Sequence, residues 1–205
     1  PLLLLYRFPF HQIESKNPNS TSIIMKNIFQ KFIKRKEIQE DKIKNPDRLE
    51  EIKRLRLHED EVDQILNDYT QEAAKEFDLP IGLVSIVLDE SQYFAGSHGL
   101  TDWIKEVNGT PIEWSFCANS VKTEKPFVVE DSEENKITKD NPLVTQEGIK
   151  CYAGVPLVSK NGFIVGNFCV IGDATRSFTE LEINRLKEYS KEAMRHIEER
   201  VAIVS

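Results

Sequence analysis

Apolar residues follow two different spacings along the 205-residue chain. Short runs rich in β-branched and aromatic residues, bounded by turn-forming residues, are typical of strands. They occupy residues 82–89, 92–97, 127–130, 151–159 and 163–172. The last two runs flank Asn161-Gly162, which favours a β-hairpin because both residues tolerate positive φ. The pattern predicts strands that pair with antiparallel neighbours.

Helical spacing of apolar residues marks the segments before and after these strands. One or two helices are predicted over residues 46–77, beginning where Asn45 caps the helix and Pro46 takes its first position. A short helix is predicted over residues 115–122. Thr179 and Glu182 form a capping box before a final helix. One face of that helix carries an apolar stripe, which consists of Leu186, Tyr189, Ala193, Ile197 and Val201.

Several motifs resemble the GAF domain, a small-molecule sensing module of bacterial signalling proteins. Tyr-Ala-Gly-Val-Pro-Leu at 152–157, the Asn-Gly turn and Gly-x-Phe-Cys-Val-Ile at 166–171 resemble its last two strands. Segments 79–87, 92–100, 110–118, 127–131 and 141–144 resemble its earlier strands and helices in the same order. The resemblance covers residues 60 to 200. It implies an α+β, PAS-related fold, with an antiparallel β-sheet and helices on both faces.

The resemblance divides the chain into two parts. Residues 1–45 are interpreted as an N-terminal extension, partly disordered or helical. Residues 46–205 are interpreted as a GAF-like sensory domain with flanking N- and C-terminal helices.

Composition limits the partners that the chain is expected to bind and the compartment in which it is expected to lie. The formal net charge of −7 argues against nucleic acid. The apolar residues 1–10 are too few to cross a bilayer, so membrane contact is not expected from this chain. Three cysteines without paired spacing indicate reduced thiols and a cytoplasmic protein.

The resemblance places a ligand cavity between one face of the sheet, the 115–122 helix and the loops of residues 131–149. Tyr152 offers an aromatic ring and a hydroxyl group for such a site. Alternation along the strands predicts that Tyr152 and Phe168 face the short helix. Asn119 and Asp131 offer polar contacts, or else bond locally as cap and turn residues. The predicted ligand-binding residues are Phe94, Phe116, Cys117, Asn119, Asp131, Tyr152 and Phe168.

Other chemistry finds less support in the sequence. Cys117 lies near a helix start, where a thiol pKa can fall, although a buried packing role competes with that interpretation. The chain lacks the Cys-His pair of bilin-binding GAF domains and the complete Asn-Lys-x-Phe motif of cyclic-nucleotide-binding ones. Its His and Asp residues show no metal-ligand spacing. The cofactor is therefore unknown, with neither covalent bilin nor metal supported.

The sequence favours a non-enzymatic sensor that binds an unidentified small molecule and couples it to helix-mediated homodimerisation. Any catalytic activity is then expected in a linked effector domain. Two alternatives stay open: a GAF-fold thiol redox enzyme or redox sensor using Cys117, and a structural dimerisation module with a vestigial pocket. The dimer is expected because the apolar stripe of the last helix extends far along it. Gly154 and Pro156 also predict a strand irregularity beside the cavity.

Overall fold

The computed structural model describes residues 41–57 and 63–204, with side chains to residue 202. The predicted extension therefore lies almost wholly outside the described residues. In chain order the elements are α1 (Pro46–Arg54), α2 (Gln64–Glu76), β1 (Ile81–Val87), β2 (Ser91–His98), α3 (Asp102–Val107), β3 (Gly109–Pro111), a 3₁₀ turn (Ile112–Trp114), α4 (Cys117–Thr123), β4 (Phe127–Val129), α5 (Pro142–Thr145), β5 (Cys151–Val158), β6 (Ile164–Gly172) and α6 (Glu180–Val204). Among the described helices, none is long and apolar enough to cross a membrane.

Six antiparallel strands form one sheet in the order β3-β2-β1-β6-β5-β4. Helices cover both faces, which confirms the predicted α+β fold. All five predicted strands are present with bounds shifted by at most two residues. The sequence patterns did not predict α3 or β3, because segments of six and three residues carry too little periodicity.

One face of the sheet is covered by α1, α2 and α6, and we call it the helix face. The predicted caps hold two of these helices at their starts. The Asn45 side chain accepts the backbone N–H groups of Asp47 and Arg48, while Thr179 and Glu182 exchange the bonds of a capping box. A continuous apolar core fills this face, including Ile52, Leu66, Phe77, Val155, Phe168, Leu186 and Ile197.

The stripe on α6 is used inside the chain. Leu186, Tyr189, Ala193 and Ile197 are buried against the sheet and the neighbouring helices, and Val201 packs against the same core. The reason for expecting a dimer through this stripe is therefore wrong, because the domain itself covers it. Homodimerisation stays a prediction that needs another surface.

A buried arginine joins α1 to the sheet. The guanidinium of Arg48 donates to the backbone carbonyls of Val87 at 2.7 Å and Ile43 at 2.5 Å, and its Nε donates to Lys42 at 3.0 Å. Arg48 is only 3% exposed. Burial lowers its pKa to about 10, since the carbonyls replace the lost water only in part. The segment before α1 is thereby fixed to the end of β1.

The predicted irregularity at Gly154 and Pro156 is not where the register shifts. β5 pairs regularly with β6 through these residues, and the shift comes between Leu157 and Val158. Pro156 is tolerated because pairing with β4 ends at Gly154, and the Pro156 carbonyl turns to α6, where it accepts from Ser190 at 2.7 Å. Gly154 is needed because a Cβ there would clash with the hydroxyl group of Tyr152.

Candidate functional site

A small, partly open cavity lies on the other face of the sheet, which we call the cavity face. The sheet forms its floor, and α3, the start of α4 and the segment around α5 form its walls. Its volume is about 60 Å³. The lining consists of Ile81, Leu83, Gln92, Phe94, Leu100, Thr101, Ile104, Thr110, Phe116, Cys117, Leu143, Glu147, Ile149, Tyr152 and Ile171. Its location is the one that the sequence predicted, with α3 as an additional wall.

Four of the seven predicted site residues line this cavity. They are Phe94, Phe116, Cys117 and Tyr152. Alternation along β2 turns Phe94 inward, and the Tyr152 ring packs edge-on against Phe116 with 5.4 Å between ring centroids. Tyr152 is 1% exposed, so its ring is part of the core as well as of the lining.

The structure places Phe168 on the opposite face, so its predicted position beside the short helix is wrong. Its ring stacks on Tyr189 of α6 at 5.4 Å in the core of the helix face. Directly paired residues on neighbouring strands share a face, and Gly154 pairs with Cys169, whereas Phe168 pairs with Val155. Cys169 therefore lies on the same face as Tyr152.

The two remaining polar candidates bond locally and do not line the cavity. The Asn119 side chain donates to the carbonyl of Phe116 at 3.1 Å within its own turn. The Asp131 carboxylate accepts the backbone N–H groups of Glu133 and Glu134, as in an Asx turn. The alternative interpretation of both residues, local cap and turn bonding, describes these contacts.

Gln92 lies at the centre of a hydrogen-bonded cluster of polar side chains in the cavity. The sequence patterns did not indicate this cluster. The Oε1 of Gln92 accepts from Ser85 at 3.0 Å and from Ser115 at 2.5 Å, and its Nε2 donates to Thr110 at 2.8 Å. Ser115 in turn accepts the backbone N–H of Ala118 at 3.0 Å. These bonds tie the floor strands to the start of α4.

Two thiols and a tyrosine hydroxyl meet beneath α4. The Sγ atoms of Cys117 and Cys169 are 4.0 Å apart, and the Tyr152 hydroxyl donates to Cys117 at 3.3 Å. Asn167 donates through Nδ2 to the Tyr152 hydroxyl at 3.2 Å and to Ser120 at 2.8 Å. The buried Oδ1 of Asn167 has no hydrogen-bond partner among the described residues.

These contacts separate the two thiols chemically. Hydrogen bonds from Cys169 and then Tyr152 lower the pKa of Cys117, although burial opposes them. Burial raises the pKa of Cys169 well above that of an ordinary thiol, and burial likewise raises the pKa of Tyr152. Cys117 is therefore the thiol of the pair that loses its proton first.

The mouth of the cavity lies between α3 and the segment after α5. Ile104 of α3 points into the cavity, whereas Trp103 is 42% exposed. The indole N–H of Trp103 donates to the carboxylate of Glu147 at 3.2 Å. Such an exposed contact on a six-residue helix is a weak closure that can open without disturbing the sheet.

The position of the hairpin turn in the sequence indicates which β6 residues lie on the cavity face. Counting six residues outward from Lys160 and Phe163, which flank Asn161-Gly162, pairs Gly154 with Cys169, as observed. That count places Asn167, Cys169 and Ile171 on the face of Tyr152. The loop itself is longer than a two-residue turn, since β5 ends at Val158 and β6 begins at Ile164.

No cluster of three or more His, Cys, Asp or Glu that could hold a metal occurs within residues 41–57 and 63–204. The side chains that converge on the cavity are instead aliphatic, aromatic, hydroxyl, amide and thiol groups, with the carboxylate of Glu147. Such a lining can enclose and orient a small molecule.

Comparison with known proteins defines the class. The family model described as "GAF domain" matches residues 61–197, and the chain belongs to this family. A cyclic di-GMP phosphodiesterase of Pseudomonas aeruginosa is 31% identical over 148 residues, which cover 71% of this chain and 24% of that protein. The chain thus spans about a quarter of the length of that relative.

Solved structures agree on the fold. A domain of a two-component sensor histidine kinase protein from Sinorhizobium meliloti has a TM-score of 0.55 at 16% identity, covering 71% of this chain and 97% of that one. Free methionine-R-sulfoxide reductase from Neisseria meningitidis has a TM-score of 0.54 at 18% identity, covering 68% and 80%. At these identities the likeness extends to the fold alone.

Proposed function

We propose that the chain is a non-enzymatic sensory domain that binds a small molecule in its cavity and regulates a linked effector. The observation that carries the proposal is the small, mostly apolar cavity on which Gln92, Thr110, Cys117 and Tyr152 converge. Membership of the GAF family supports a role in signalling.

The relative supports a linked effector. Since this chain corresponds to about a quarter of that phosphodiesterase, most of the relative's length lies outside the matched part. We propose an effector of the same kind, an enzyme that turns over a cyclic dinucleotide, beyond this chain. We also propose a cytoplasmic location, because three unpaired buried thiols suit a reducing compartment.

A physical route connects the cavity to the N-terminal segment. α4 begins at the cavity with Cys117, and its C-cap residue is Glu124, whose carboxylate pairs with Lys42 at 3.0 Å. Ile43 is buried in the core of the cavity face, and its carbonyl accepts from Arg48. A ligand that shifts α4 therefore acts on residues 42 and 43 and, through Arg48, on α1. A homodimer would be one way to transmit such a shift.

Native mass spectrometry of the purified chain tests the proposal. We expect a retained small molecule, and we expect Ile104→Trp to lose it because the indole fills the cavity. Ile65→Trp is the matched control, since Ile65 is exposed on α2, outside the cavity. If no molecule is retained and no added compound stabilises the chain, the structural module with a vestigial pocket becomes the better explanation.

The thiol pair favours a second candidate function, a redox sensor using Cys117. A hydroperoxide would oxidise Cys117 and Cys169 to a disulfide. Both thiol protons and two electrons go to the peroxide, which leaves as an alcohol and water. Disulfide formation requires the 4.0 Å separation of the two Sγ atoms to shorten to about 2 Å, through side-chain rotation and a small shift of α4.

Peptide mapping after treatment with tert-butyl hydroperoxide tests this candidate. We expect a cross-linked pair of peptides containing Cys117 and Cys169, 2 Da lighter than the sum of the reduced peptides. Cys169→Ser should abolish the cross-link, and Cys151→Ser should keep it. Formation of the same cross-link only in urea would show that the folded domain does not use it.

A further inference from the structure

The electrostatics of the cavity select among ligands. Aliphatic and aromatic side chains make up most of the described lining, and its fixed charge is the carboxylate of Glu147 at the mouth. Gln92, Thr101 and Thr110 contribute uncharged polar groups. A ligand inside the cavity therefore meets an apolar surface with a few dipoles and a negative rim.

An anion would be disfavoured in this environment. Entering the cavity removes its water, and amide and hydroxyl groups replace that solvation only in part. The Glu147 carboxylate adds repulsion at the mouth. An ammonium group also loses its hydration, unless it stays at the rim beside Glu147, whose carboxylate already accepts from Trp103. An uncharged molecule avoids both costs and gains from leaving water.

The volume limits the size of the ligand. An apolar protein cavity of about 150 Å³ binds benzene. The cavity here is about 60 Å³, so its closed form accepts a molecule smaller than benzene. A larger ligand requires α3 to move outward with Ile104.

Gln92 supplies a directional contact. An amide nitrogen carries two hydrogens, and Thr110 takes one of them at 2.8 Å. Both lone-pair directions of Oε1 are used by the hydroxyl groups of Ser85 and Ser115. The remaining contact that Gln92 can offer is a donated hydrogen, which a ligand oxygen can accept.

We propose that the cavity takes a compact, uncharged and mainly apolar molecule with one hydrogen-bond acceptor, of the class of small alcohols, ketones or amides. This inference rests on the proposed sensory function, because it specifies the ligand class of the same cavity. Phosphorylated and carboxylate ligands are excluded from the closed cavity by the same reasoning.

Three probes with one carbon skeleton, each smaller than benzene, test the ligand class: propanol, propionate and propylammonium. Each is added to the whole chain, and binding is measured by saturation-transfer NMR and by melting temperature. We expect propanol to raise the melting temperature by about 3 °C or more at ten times its Kd. We expect no such rise for propionate. Propylammonium should bind at least tenfold more weakly than propanol.

Variants separate the cavity from general solvent effects. Ile104→Trp should lose the propanol signal, and Ile65→Trp should retain it. Leu83→Phe replaces Ile104→Trp if that variant does not fold. Retention of the signal when the cavity is filled would overturn the proposal.

The three probes of different charge distinguish an error in the proposed ligand class from an error in the proposed sensory function. If propionate binds in a cavity-dependent way and propanol does not, the neutral ligand class is wrong while the sensory function survives. If none of the three binds and native mass spectrometry finds no retained molecule, the sensory function itself fails.

Discussion

The two faces of the sheet are built differently. The helix face has three helices of 9, 13 and 25 residues over a continuous apolar core. The cavity face has helices of six, seven and four residues, a buried polar network and a void. Long helices bury more apolar surface per ordered residue than short ones with loops. Most of the stability is therefore expected on the helix face, and most of the response to a ligand on the cavity face.

Charged groups also make the helix face more stable than the cavity face. Around the helix face, Arg54 bonds both Glu51 and Glu198, and Glu76 accepts from Arg185 and from the Tyr189 hydroxyl. These pairs join α1 and α2 to α6. On the cavity face the ion pair of Lys42 with Glu124 and the contact of Trp103 with Glu147, which closes the cavity, are exposed. A weak closure over a small void is a segment that can open locally.

Truncation on the two faces should give the largest difference. Phe168→Ala removes a fully buried ring that stacks on Tyr189, and we expect a loss of about 4 kcal/mol in the free energy of unfolding. Ile104→Ala should cost about 2 kcal/mol, because Ile104 already borders a void on a short helix. Urea denaturation measures both values. Equal losses would contradict the division of stability between the faces.

Removal of the buried arginine should have the next largest effect. Arg48→Met leaves the carbonyls of Val87 and Ile43 without their donor, which should cost about 3 kcal/mol. Arg195→Met, on the exposed side of α6, is the matched control and should change stability by less than about 0.5 kcal/mol. A similar small change for Arg48→Met would show that water replaces the guanidinium without penalty.

Protonation of a carboxylate on the helix face should account for much of the loss of stability at low pH. The hydrogen bond from Arg54 lowers the pKa of Glu51 from 4.5 to about 2. Because the folded pKa lies below the unfolded one, this stabilisation is complete above pH 4.5 and is lost as the pH falls from 4.5 to 2. We expect a decrease of about 2 kcal/mol over that window.

Glu51→Gln should flatten this part of the pH profile, measured by urea denaturation at each pH. Glu50→Gln is the control, because Glu50 is exposed on the same helix. An unchanged slope in Glu51→Gln would assign the acid limit to other carboxylates.

The alkylation rates of two native cysteines compare how readily the two faces open, without any substitution. Cys117 and Cys151 are both buried, but Cys117 lies under the short helices of the cavity face. Hydrogen bonds lower the pKa of Cys117, whereas burial raises that of Cys151. We expect iodoacetamide to alkylate Cys117 at least tenfold faster than Cys151, as followed by peptide mass spectrometry. Equal rates that track global unfolding would show that the cavity face does not open on its own.

Local patterns in the sequence were sufficient for much of the fold. Five strands, the caps at Asn45 and Thr179 and the β5–β6 hairpin follow from interactions between residues close in the chain. The motifs near Tyr152 also indicated the family and the cavity face. The two short elements α3 and β3 were missed, because six and three residues carry too little periodicity.

The site needed information that no single segment contains. Alternation shows that Phe168 and Cys169 point to opposite faces, but which of them faces Tyr152 depends on pairing with β5. Asp131 and Asn119 had the right chemistry, yet local backbone groups satisfied them first. Gln92 became a site residue only when Ser85, Thr110 and Ser115 were brought around it.

The sequence by itself therefore determined the elements, the family and the face that holds the cavity, because these follow from short-range spacing and from motifs. Tertiary structure alone decided three features: that the α6 stripe is covered within the chain, that Cys117 meets Cys169, and that a cavity of about 60 Å³ forms. Each of these depends on strand register and helix packing between residues far apart in sequence, and the patterns within single segments do not specify how such residues pack.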